Sequence, residues 1–169
     1  MNVGGKALLN MAQLRETLTE AGLKDVRTYI QSGNILFSSD SINVDALASL
    51  IKTSIEREHN LTVDVAIFSA ADWQRIVAAA PTWWGKDKTW KHNLLIMIKP
   101  YNMEEVVDAV GALKPDIEAM QPGDGVLYQS MSLKLFGRTT TGKLAAKPIY
   151  KKMTVRNYNT ATKLASLLG

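Results

Sequence analysis

Amide side chains and cations recur in two stretches of this 169-residue chain, the first of them with a pair of glycines. Near the front stand Asn2, Gly4, Gly5 and Lys6, followed by Tyr29, Gln31, Ser32 and Asn34. Near the end stand Lys151, Lys152, Arg156, Asn157 and Asn159. Amides and cations beside a glycine turn can hydrogen-bond a phosphate, a sugar or a base edge. They do not suit proton transfer, which needs a group titrating near neutral pH. These residues are therefore expected to form a ligand-binding set, with Gly4 and Gly5 offering backbone N–H groups in an anion nest. The plainer alternative makes Gly4-Gly5 an ordinary turn, Gln31 and Asn34 turn residues, and Asn157 a first-turn capping partner.

Charge separates the two ends. From Lys134 to Gly169 there is no Asp or Glu, and there are eight cations: Lys134, Arg138, Lys143, Lys147, Lys151, Lys152, Arg156 and Lys163. The net charge of +4 thus joins a basic tail to a body with 12 basic and 16 acidic residues. Thr154 to Leu168 reads as a helix, with Val155, Tyr158, Ala161, Ala165 and Leu168 on one stripe and Thr154 as N-cap. Helix starts favour acidic residues, yet Lys151, Lys152 and Arg156 crowd this one. A bound anion would relieve that repulsion. The alternative is that each side chain extends into water at a cost of ~0.3–1 kcal/mol.

Other chemistries find less support. Zero cysteines exclude disulfides, thiolate catalysis and Cys-based zinc sites, and two histidines, His59 and His92, exclude a multi-histidine metal centre. No metal and no cofactor is expected. Gly137 to Lys143 has the G-x-x-x-x-G-K spacing of a phosphate loop, but Leu144 stands where Ser or Thr must hold magnesium. Ser32 lacks the G-x-S-x-G context of an activated nucleophile. With no signal peptide and no apolar run long enough to span a bilayer, the chain is expected in the cytoplasm and away from membranes.

The elements that must position these residues repeat. Asn10 and Gln13 start a first helix that Gly22 stops, and Val26–Gln31 and Asn34–Ser38 read as strands joined at Ser32-Gly33. Asn43 starts a second helix, Val63 to Ile67 alternates as a strand, and Ser69 with Asp72 caps a short helix ended by Pro81. Residues 82–91 carry Trp83, Trp84 and Trp90 among Lys86, Lys88 and Lys91 and read as a linker. These tryptophans could stack bases, or pack between the two halves, which large aromatics do more often. Beyond them come a strand at Asn93–Lys99, a helix capped by Asn102, strands at 117–120 and 126–136, a brief helix from Thr141 and the basic helix. The pattern predicts an α+β protein of two ferredoxin-like (βαββαβ-type) subdomains, 1–81 and 92–169, the second carrying the basic C-terminal helix.

Asn2-Val-Gly-Gly-Lys6, Met11-x-x-Leu14, Thr28-Tyr-Ile-Gln-Ser-Gly-Asn34 and Tyr150-Lys-Lys-Met-Thr-Val-Arg-Asn-Tyr-Asn-Thr160 resemble the bacterial domain-of-unknown-function 1697 family over nearly the whole chain. The resemblance implies two related α+β halves and implies no particular activity. Members of that family begin with an apolar strand ending in Arg-Gly-Ile, whereas Met1 stands here in place of that Ile. The first sheet is therefore expected to lack its N-terminal strand, through a truncated or misassigned start. Taken together, the expectation is a binder of a phosphate-bearing ligand or nucleic acid at a basic C-terminal face. The alternatives are a small-molecule or nucleotide-modifying enzyme with its site between the subdomains, and a protein-interaction module using the tryptophan loop.

Overall fold

A computed structural model describes residues 2–3, 7–30, 33–100 and 103–169. The chain divides into two compact units, Met1–Phe68 and Ser69–Gly169. Both mix helices with antiparallel strands, so the α+β class holds. The division falls ahead of the expected boundary at residue 81. Residues 70–78 form a helix of the second unit: the Trp73 indole N–H donates to the Ala161 carbonyl (3.1 Å), and the Tyr128 hydroxyl to the Ile76 carbonyl (2.6 Å). The stretch expected as a linker also belongs to that core. Trp84 is buried, donates to the Asn93 carbonyl (2.9 Å) and meets Tyr128 and Tyr158 edge-on at 5.5 and 4.9 Å.

In the first unit, β1 (Asn2–Val3) pairs with β2 (Ala7–Leu8), and α1 (Met11–Glu20) follows. Asn10 caps α1 by accepting from the Ala12 N–H at 2.8 Å. β3 (Lys24–Tyr29) and β4 (Asn34–Ser38) form a hairpin, and α2 (Val44–His59) starts on the Asn43 side chain and ends at Asn60 in the left-handed conformation. Leu14 and Leu18 of α1 join Leu47, Ile51 and Ile55 of α2 in one core, against which Ile35 and Phe37 of β4 also pack.

The strand expected at Val63–Ile67 has the right side-chain pattern and no ladder. Val63 is buried and Val65 and Ile67 pack on the same core. Among the described residues, however, the backbone of 61–67 makes no hydrogen bond, and β4 pairs with β3 alone. In a ferredoxin-like sheet the fourth strand pairs only with the first, and among the described residues no strand pairs with 61–67.

The second unit shows the complete arrangement. After α3 (Ala70–Ala78) come β5 (Trp90–Met97), α4 (Met103–Val110), β6 (Glu118–Pro122), β7 (Val126–Ser132), β8 (Met153–Asn157) and α5 (Tyr158–Leu167). The order β6-β7-β5-β8, antiparallel throughout, puts the unit's first strand between its third and fourth. Three 3-10 turns, Phe136–Arg138, Thr141–Ala146 and Pro148–Lys152, replace the second helix of the repeat and pack in series, the latter two against α4. Both sheet faces are covered. Leu95, Leu127 and Met153 face α4 and the turns, while Tyr128 faces α3.

Candidate functional site

The basic helix expected from Thr154 begins four residues later. Met153–Asn157 is β8, in register with β5, so that Leu94 lies opposite Arg156 and Met97 opposite Met153. The N-cap of α5 is Asn157, whose side chain accepts from the Thr160 N–H at 2.8 Å. The expected crowding of a helix start therefore does not arise. Lys151 and Lys152 lie in the turn before β8, and Arg156 lies on the strand, its Nη1 donating to Thr154 Oγ1 (2.7 Å) and the Val155 carbonyl (2.9 Å). Burial lowers the Arg156 pKa from the ordinary arginine value.

Of the remaining expected ligand-binding residues, Gly4, Gly5, Lys6, Gln31 and Ser32 fall outside the described residues. Asn2 contributes its backbone to β1, opposite Leu8. Asn34 is buried and its amide donates to the Tyr29 carbonyl at 3.1 Å, which ties the ends of the β3–β4 hairpin together. Tyr29 is half-buried on β3. Asn159 is exposed in the first turn of α5, beside the capping Asn157. Asn34 and Asn157 thus have structural work, in line with the plainer alternative. Of the described members of the set, Asn2, Tyr29 and Asn34 belong to the first unit, and Lys151, Lys152, Arg156, Asn157 and Asn159 to the second.

What the second unit gathers instead is unpaired positive charge. Lys24–Asp40, Lys52–Asp64 and Arg57–Glu58 are ion pairs of the first unit, and Arg75 pairs with Asp72 and Asp124 in the second. Among the described residues, none of Lys134, Arg138, Lys143, Lys151 and Lys163 has a carboxylate within ion-pair distance, and all five are exposed. The Lys147 ammonium donates to the Ala109 carbonyl. Arg138, Lys143, Lys147, Lys151 and Lys152 belong to the three packed turns or their joints, and Lys134 precedes them.

Within the phosphate-loop spacing at Gly137–Lys143, the Thr140 and Thr141 N–H groups are taken by an internal anion. Glu118, 1% exposed, accepts from the N–H groups of Lys114 (3.0 Å), Thr140 (3.0 Å) and Thr141 (2.8 Å), and from the Thr141 hydroxyl (2.7 Å). Burial pushes its pKa up, the largest single effect, but these donors together outweigh it and hold the carboxyl below the usual glutamate range. Leu144, in the magnesium-ligand position of the motif, is core. Sequence reasoning missed Glu118. Its one signal was an acidic residue opening a short apolar strand, with partners 4, 22 and 23 positions away.

Neither histidine forms a catalytic arrangement. His59 Nε2 meets Thr17 Oγ1 at 2.8 Å, and His92 is buried between Ser130 Oγ (2.6 Å) and the Asp87 carbonyl (2.7 Å). The shifted carboxylates all move down: Asp72 mainly through the Ser69 hydroxyl, Asp87 mainly through the Thr89 hydroxyl, and Glu118 as described. Each is held ionised, the opposite of what a general acid at neutral pH requires. Among the described residues no three His, Asp or Glu side chains cluster as a metal site, and no helix is long and apolar enough to cross a membrane. Burial of Trp84 also takes away the exposed tryptophan pair that a docking loop would need.

Residues 1–128 match the model of a family described as "Protein of unknown function (DUF1697)". In structure the chain is similar to the conserved bacterial protein SP0830 from Streptococcus pneumoniae, with a TM-score of 0.87 and 28% identity over 100% of this chain and 94% of that one. No curated protein matches it.

Proposed function

The chain belongs to the domain-of-unknown-function 1697 family, and from that premise we propose that it binds a phosphate-bearing ligand on the cation-lined face of its second unit. The observation that carries this reading is that five exposed cations of the acid-free tail, Lys134, Arg138, Lys143, Lys151 and Lys163, have no carboxylate within ion-pair distance among the described residues. Unpaired surface cations raise the local concentration of anions, and their binding to phosphates releases counterions. Within this reading the protein works in the cytoplasm, where nucleic acids and phosphorylated small molecules are present together. It acts by binding, since its shifted carboxylates are held ionised and its histidines are engaged structurally.

The test is binding of labelled oligonucleotide and of inorganic polyphosphate between about 50 and 200 mM salt. Affinity should fall steeply across that range, and charge reversal at Lys143 and Lys151 should flatten the dependence. Affinity indifferent to salt would overturn the reading.

A further inference from the structure

Only two aromatic side chains among the described residues are exposed, Phe136 (42%) and Tyr150 (36%). Both fall inside the acid-free tail. Each stands between cations, Phe136 between Lys134 and Arg138, and Tyr150 between Lys147 and Lys151. The other aromatics among the described residues are buried or half-buried, as an ordinary core demands. Exposing two rings in the one stretch that carries no carboxylate is therefore a specific arrangement. A third cation joins it from β5: Lys91 places Nζ 5.9 Å from the centre of the Phe136 ring.

The Phe136 turn is held from inside. The Thr139 hydroxyl donates to the Phe136 carbonyl (2.7 Å) and accepts from the Gly142 N–H (3.1 Å). The Lys114 ammonium donates to the Arg138 carbonyl (2.6 Å), and Glu118 fixes the next two residues through the N–H groups of Thr140 and Thr141. Gly142 is required here, because a Cβ would overlap Thr139 Oγ1 and approach the Phe136 carbonyl to 2.9 Å. The glycine spacing that resembles a phosphate loop thus serves to hold an exposed ring among cations. Asp116 lines a shallow depression beside Arg138, and Lys114 lines it too.

Resting on the phosphate-binding reading, the geometry points to single-stranded nucleic acid as the ligand, with a base stacked on Phe136, a second on Tyr150, and the flanking cations on phosphates. Stacking on aromatic faces beside a basic track is the sequence-tolerant mode of single-strand binding, because every base offers a π-face. Paired bases keep their faces inside the duplex, so these rings select against double strands. Lys91, exposed and flexible, can leave the ring for a phosphate as a base takes its place.

Fluorescence anisotropy with labelled oligo-dT tests this. Phe136→Leu, which keeps apolar bulk without a ring, should weaken binding roughly 5- to 100-fold, and Phe136→Trp should retain it. The ring variant should leave the salt slope unchanged, whereas Lys134→Glu with Arg138→Glu should reduce it by about 0.7 for each phosphate no longer neutralised. The inference is overturned if Phe136→Leu and Tyr150→Ala both bind as tightly as the native chain, or if a duplex of equal length binds as well as the single strand. Binding of inorganic polyphosphate without oligo-dT would overturn the single-strand inference and leave the phosphate reading standing. Salt-dependent binding of neither probe would end both.

Discussion

Replacing Glu118 by Gln should destabilise the second unit by about 2–4 kcal/mol at neutral pH. The figure follows from the four donors that converge on this carboxylate, one on Lys114, one on Thr140 and two on Thr141. A hydrogen bond to an ionised acceptor contributes ~1.5–3 kcal/mol, and a buried donor left unpaired costs ~1–3 kcal/mol. Glutamine keeps one oxygen, which can still face Lys114 and Thr140, but its amide N–H groups would point at Thr141. The Thr141 hydroxyl can rotate to accept one of them, whereas the buried Thr141 N–H loses its acceptor and meets a second donor. For a chain of this size the unfolding midpoint should drop by about 5–15 °C. The pH dependence has a definite sign. The folded pKa of Glu118 is depressed, so its stabilisation is present above the unfolded pKa of about 4.3 and is lost as pH falls through the lower folded value. Glutamine does not titrate, so the gap between native and variant chains should close as pH falls below about 4. Thermal unfolding followed by circular dichroism from pH 7 to 3 reads both quantities. A Glu118→Gln variant as stable as the native chain at pH 7, or a gap that persists unchanged to pH 3, would refute the reasoning.

Gly85 has φ +85°, and a Cβ there would enter the Tyr158 ring, so Gly85→Ala should cost at least about 2 kcal/mol in denaturant unfolding. Trp84→Phe keeps an aromatic ring between Tyr128 and Tyr158 but removes the N–H bonded to the Asn93 carbonyl; a loss of about 1–2 kcal/mol is expected by the same measurement. Ile30 is a β-branched residue at φ +52° and is half-exposed, so Ile30→Gly should raise the unfolding midpoint, by about 1 kcal/mol in stability, where an ordinary loop isoleucine would leave it unchanged or lower it.

Helix starts were legible because their signals are local. Asn10, Asn43 and Ser69 each accept an N–H two or three residues ahead, as residue type alone suggests. The end of the chain misled because two periods share one apolar series. Met153 and Val155 alternate as a strand, then Tyr158, Ala161 and Leu164 continue at helical spacing, and the joint at Asn157 reads as one stripe. What makes 153–157 a strand is β5, about sixty residues upstream, and no local pattern carries that partner. Much of the site was illegible for the same reason. Lys134 and Arg138 are plain in the sequence, but the apolar run through Phe136 suggests a continuing strand rather than a turn that leaves the ring in water. Glu118 shows no role until the chain returns to it at Thr140.

Residues 61–67 keep Val63, Val65 and Ile67 in the core while their peptide groups have no partner among the described residues. Burial of side chains and protection of amides are then separate properties of one segment. In deuterated solvent these amide protons should be replaced quickly, close to the rate of an open chain, although the valines beside them stay packed. The first unit would thus look molten to an exchange experiment at a place where its apolar contacts are intact.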